Sequence, residues 1–139
     1  RLSDGKANLH QGAIGVGIDI PTGITRRGVW NSEIIREHPD TEHSIAGLQI
    51  PRWDELLMIG AKAYELCELG YVGVDVVLDK DLGPLVLELN ARPGLAIQIA
   101  NGNGALHRLR KVQALERAGQ LSKDPAERVA FAKANFPTT

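Results

Sequence analysis

The sequence predicts an α+β fold, an antiparallel sheet with helices packed on one side. Three observations carry that expectation. Residues 13–20 alternate branched apolar residues with small or polar ones, then turn and return. Residues 73–78 and 85–90 do the same across a polar turn. Three later segments repeat apolar residues at helical spacing.

The elements follow in order. Residues 1–12 are polar and carry the turn signals Asp4-Gly5 and Gly12. In Ala13 to Ile20, the residues Ile14, Val16, Ile18 and Ile20 share one strand face. Pro21-Thr22-Gly23 is a turn, and Ile24 to Trp30 is the return strand, with Arg26 and Arg27 inside it. Residues 31–49 read mostly as loop with short extended pieces.

Pro51 opens the strongest helix, since proline suits the first helical turn. Its apolar residues are Trp53, Leu56, Leu57, Ile59, Ala63, Tyr64, Leu66 and Cys67, and Gly70 is the expected stop. This helix should cover the apolar face of the hairpin that follows. Residues 95–103 read as a loop containing Asn101-Gly102-Asn103-Gly104. A second helix is expected over about 105–118, with Leu106, Leu109, Val112 and Leu115 inward. A third starts at Asp124-Pro125-Ala126-Glu127, where Asp124 can cap and Glu127 complete a capping box, and it fades near Asn135.

Composition bounds the function. A chain of 139 residues, 43% apolar, can hold one domain with a core. A net charge of −1 gives no general attraction to nucleic acid or to an anionic membrane, so neither is an expected partner. The single Cys67 excludes an internal disulfide and a multi-cysteine zinc site. No apolar run approaches the roughly eighteen residues of a membrane span, and no signal peptide is visible, which fits a cytoplasmic protein. The opening Arg1-Leu-Ser-Asp4 lacks an initiator methionine and reads as the inside of a larger protein.

The chemistry concentrates in one hairpin. Gly73-Val-Asp75-Val-Val-Leu78 and Leu85-Val-Leu-Glu88-Leu-Asn90-Ala-Arg92-Pro-Gly94 place Asp75, Glu88, Asn90 and Arg92 close together in the chain. Pairing Leu78 with Leu85 puts Asp75 opposite Glu88 and Gly73 opposite Asn90. One face then holds Val72, Val74, Val76, Leu78, Leu85, Leu87 and Leu89, and the other holds Asp75, Val77, Val86, Glu88 and Asn90. Carboxylates opposed across strands repel, and a divalent cation would remove that repulsion. The residues leave two readings open. One is the wet face of a half-buried sheet; the other is a metal or phosphate site.

This stretch resembles the metal-binding end of an ATP-grasp domain. Lys6-Ala-Asn8-Leu-His10-Gln-Gly12-Ala13 is similar to a second motif in the glutamate-ligase branch of that superfamily, and the run from Glu88 to Asn101 looks closest to α-L-glutamate-ligase-related proteins. The resemblance implies a C-terminal ATP-grasp lobe, with residues 1–139 a single partial domain. It implies that Asp75, Glu88 and Asn90 hold Mg²⁺, with Mn²⁺ as a substitute. It implies that Arg92 and Lys6 act catalytically near the transferred phosphoryl group, and that Asn8, His10 and Arg92 contact ATP or substrate. The activity implied is an ATP-dependent carboxylate–amine ligase working through an acyl phosphate on a small-molecule or peptide carboxylate and an amine. The alternative is a non-catalytic module that keeps the fold and binds nucleotide or protein. A homo-oligomer is a further expectation, because a partial lobe would expose apolar surface.

Other candidates have plainer readings. Asp79-Lys-Asp81-Leu-Gly83 reads as a turn rather than a calcium loop. Gly12, Gly15 and Gly17 lack dinucleotide spacing, and Gly15 and Gly17 should admit a neighbouring backbone. His38, His43 and His107 lack metal spacing. His107, Arg108, Arg110, Lys111 and Arg117 form a basic face with no aromatic platform.

Overall fold

The computed structural model describes residues 12–94 and 97–137, with Ile97 by its backbone only. Two antiparallel sheets and four helices make up this part. The α+β expectation holds.

The first sheet is β1 (Gly15–Ile18), β2 (Thr25–Trp30) and β3 (Glu33–Ile35), in that order. Val16 pairs with Gly28 and Ile18 with Thr25, with an irregularity between them. Asp19 builds the β1–β2 turn. Its carboxylate accepts from the Thr22 hydroxyl at 2.6 Å and the Thr22 N–H at 3.2 Å. Its carbonyl accepts from Gly23 N–H at 2.8 Å. Gly23 has φ +71°, and a Cβ there would lie 2.5 Å from the Trp53 ring, so glycine is required on both counts. The Trp53 indole N–H in turn donates to Ile20 O at 2.8 Å, which ties the next helix to this turn. Under β2, Ile14, Ile35 and Ile45 close around Gly28.

Helix α1 (Trp53–Cys67) ends with Glu68 in the left-handed region, donating to Tyr64 O at 2.7 Å. The stop thus comes two residues before Gly70. The second sheet is β4 (Gly73–Asp79) and β5 (Gly83–Asn90). Three helices follow: α2 (Ile97–Asn101), α3 (Leu106–Arg117) and α4 (Pro125–Asn135). Asp124 caps α4 through Ala126 N–H at 2.8 Å. Glu127 accepts from the Ser122 hydroxyl at 2.5 Å, and that oxygen accepts from Asp124 N–H at 3.0 Å. The capping box is therefore closed through Ser122.

Four expectations need correction. Residues 97–101 form α2 rather than loop, because the short helix docks on β1 and β2. Its seat is Gly17, where a Cβ would lie 2.5 Å from Ala100 O. Leu106 and Leu109 are exposed, at 59% and 38%, so α3 does not turn them inward. Leu78 pairs with Pro84 rather than Leu85, because Leu87 is an extra residue in β5. Finally, α1 divides its packing between α4 and the β4–β5 hairpin, and so covers the hairpin only in part. Leu87 is 69% exposed, and the apolar residues of the hairpin are not sealed by that helix.

Candidate functional site

The hairpin β4–β5 carries the site. Its turn end is set by local chemistry. Asp79 Oδ1 accepts from Asp81 N–H at 2.9 Å and Leu82 N–H at 2.8 Å, and Gly83 takes φ +81°. The loop is closed from outside by Arg52, whose guanidinium lies directly on Gly83 and is forked onto Glu55 at 2.8 and 2.6 Å. The fold therefore reads Asp79 to Gly83 as a turn, as its sequence suggests.

At the open end, Asp75 pairs with Glu88 and Gly73 with Asn90, as expected. The bulge between Asp75 and Val76 changes what lies beyond them. Val76 faces Val86, and Val77 faces Leu85. Side chains alternate along each strand, so Leu85 joins Val77 on the acidic face and Val86 moves to the other. The acidic pair thus sits on a surface with exposed apolar neighbours.

Asn90 joins the two acids. Its amide nitrogen donates to Asp75 Oδ2 at 3.1 Å and to Glu88 Oε1 at 2.9 Å. Partial desolvation and then the Glu88 carboxylate beside it push Asp75 above the usual carboxylate range, and the Asn90 amide opposes that rise. The donor set fits a hard cation. Two carboxylates share one face with a side-chain amide that carries its own oxygen. The Asn90 N–H group here satisfies part of the negative charge that a cation would satisfy more fully.

The remaining expected residues divide. Arg92 lies on an exposed bend two residues after Asn90. Among the described residues it makes no ion pair with Asp75 or Glu88. Pro93 packs on Gly73, where a Cβ would come within 2.7 Å of its ring, so the chain after Asn90 is held against the start of β4. Lys6, Asn8 and His10 lie outside the described residues. Among the described residues, no group of three or more His, Cys, Asp or Glu side chains converges as a metal cluster. An acid–acid–amide set is not of that kind. A separate open cleft of about 440 Å³ runs along Pro21, Gln49 to Glu55 and Lys133. Asp75, Glu88, Asn90 and Arg92 do not line it.

Comparison with known families places the chain as a whole. The model of the sugar-transfer associated ATP-grasp family matches residues 1–114. The chain belongs to that family. The two sheets with α1, α2 and the first part of α3 thus belong to an ATP-grasp lobe, and the family supports nucleotide binding. No curated protein and no solved structure matches the chain. The matched stretch includes the whole β4–β5 hairpin and stops inside α3, so α4 lies beyond the ATP-grasp match.

The bulge at Leu87 is the feature of this site that sequence reasoning missed. Strict alternation of apolar residues through 85–90 concealed it. One signal was available: Gly83 in a left-handed turn favours a three-residue loop, which fixes a different pairing sum from that of Asp75 with Glu88.

Proposed function

We propose that this ATP-grasp protein is an ATP-dependent carboxylate–amine ligase that works through an acyl phosphate. The observation that carries the proposal is Asp75 and Glu88 paired across the hairpin and joined by Asn90 on one exposed face. Asp75, Glu88 and Asn90 would hold Mg²⁺, or Mn²⁺ in its place. When bound, the ion would neutralise charge on the transferred phosphoryl group.

Phosphoryl transfer asks the protein mainly for positioning and charge neutralisation. A substrate carboxylate oxygen attacks the γ-phosphorus of ATP, and the bond to the bridging oxygen breaks to release ADP. The amine then attacks the acyl carbon, and phosphate leaves with the bonding electron pair. Arg92, exposed just after Asn90, would offer a planar fork of donors to the acyl phosphate. Lys6, Asn8 and His10 would serve the phosphates or the substrate, as their motif suggests. The likeness of Glu88 to Asn101 to glutamate-ligase-related proteins supports glutamate-like substrates. The family description supports a second class, carboxylates and amines borne on or beside sugars.

The test is amine-dependent ADP release by the full-length protein, offered Mg²⁺ with pooled amino acids and amino or acidic sugars, beside Glu88→Gln. The expected outcome is release that requires both substrate and Glu88, with the variant folded but inactive. Full activity in Glu88→Gln would refute the site. Nucleotide binding without release by any pool would favour a binding module instead.

A further inference from the structure

The seam between α3 and α4 holds two cations that no described acid balances. Arg108 occupies the inward side of α3 with Val112 and Leu115, where Leu106 and Leu109 were expected. Its guanidinium lies 5.9 Å from the centre of the Phe136 ring. Phe136 is itself buried, edge-on to Phe131 at 5.6 Å. The Arg108 Nε is sealed from solvent and makes no hydrogen bond among the described residues. One turn on, Lys111 Nζ donates to Asn135 Oδ1 at 3.3 Å and Asn135 O at 3.4 Å, which covers the carbonyl end of α4.

The nearby acids are occupied or distant. Asp124 and Glu127 sit at the opposite end of α4, engaged with Ala126 N–H and the Ser122 hydroxyl. Glu65 and Asp54 of α1 are taken by Arg128 and Lys133. Glu116 lies two turns along α3. A guanidinium stays charged even when partly desolvated, and such a charge is costly without a counter-ion. The Phe136 face offsets part of that cost. Among the described residues the terminal nitrogens of Arg108 make no hydrogen bond or ion pair, so its donor fork has no protein partner. Side chains three apart on a helix are neighbours, so one small anion can reach both Arg108 and Lys111.

We propose that Arg108 and Lys111, at the seam of α3 and α4, form a binding site for an oxyanion, either a phosphate group or a carboxylate. A bidentate arginine fork with an ammonium beside it matches that chemistry. The site uses none of Asp75, Glu88, Asn90 or Arg92, and one of its walls is a helix outside the ATP-grasp match.

The sealed Nε–H of Arg108 supplies the readout, because slow exchange with water gives it a separate nitrogen–proton signal. The full-length protein, labelled with ¹⁵N, would be titrated with inorganic phosphate and separately with acetate, at ionic strength held constant with chloride. Arg108→Lys identifies the signal by its loss. The expected result is a saturable shift with phosphate, acetate or both, and the anion that acts more tightly names the ligand class. In Lys111→Gln the affinity should fall about tenfold, the loss of one charge-assisted contact. Lys111 is exposed, so the variant should keep the remaining amide spectrum. A shift no larger than that with chloride would overturn the proposal, as would unchanged affinity in Lys111→Gln.

Discussion

Asp75 is a carboxyl whose ionised form the fold opposes. Glu55, Glu65 and Asp79 are all held below the usual range by their hydrogen bonds, whereas Asp75 is held above it. A folded-state value above the unfolded one means that the native protein binds that proton more tightly. The associated stability is present below the ordinary Asp range and is lost as pH rises through the raised folded value. Asp75→Asn mimics the protonated acid. In metal-free protein it should therefore melt higher than wild type at neutral pH, with the gap closing on acidification. The other carboxylates lose stability in acid in both proteins, so the difference between the two melting curves isolates Asp75. Added Mg²⁺ should raise the wild-type melting temperature and leave that of Asp75→Asn nearly unmoved. Identical curves at every pH would show that Asp75 and Glu88 do not repel.

Among the elements, glycines separate tight contacts from open ones. Gly17 sits under α2, with no room for a methyl group against the Ala100 backbone. Gly17→Ala should push α2 away and cost about 1–3 kcal/mol. Gly60 lies within α1, exposed and with nothing near its Cβ position. Gly60→Ala should stabilise by about 0.4–1 kcal/mol, since alanine loses less entropy in a helix. Urea unfolding of both variants checks the pair, and equal effects would contradict the docking of α2 on β1. The element scale also explains the bulge. Asp79 and Gly83 fix a three-residue loop in which Asp79 faces Gly83, and the open end pairs Asp75 with Glu88. These two registers differ by one residue, and Leu87 absorbs the difference. Alternation alone could place the acid pair, because that end obeys it, but not the strand beyond it.

As a whole, the described chain buries little. Val29, Ala63, Ala100 and Phe136 are its buried apolar residues, and no large side chain is fully enclosed among the described residues. Leu66 and Leu82 are 78% and 71% exposed. Apolar surface on this scale drives association. The 139-residue chain expressed alone should therefore self-associate, seen as a sedimentation coefficient that rises with concentration. Leu66→Lys with Leu82→Lys should shift it toward monomer, and a monomer at all concentrations would refute the expectation. No described helix is long and apolar enough to cross a membrane. The ends of α4 are bound to α1 by Arg128 on Glu65 and Lys133 on Asp54, and Arg128 also lies 5.6 Å from the Tyr64 ring centre. These polar ties flank the packing of α4 against α1.

The sequence by itself determined the hairpins, the three long helices, the Asp79–Gly83 turn and the meeting of Asp75 with Glu88. Each follows from local periodicity or turn chemistry, which acts over a few residues. Tertiary structure decided the rest. Helix α2 exists because Gly17 gives it a seat, and Arg108 turns inward because Phe136 offers a ring face. The apolar hairpin face is covered only in part, because α1 also packs against α4. Each of these depends on a partner distant in the chain, and no local pattern records which partner arrives.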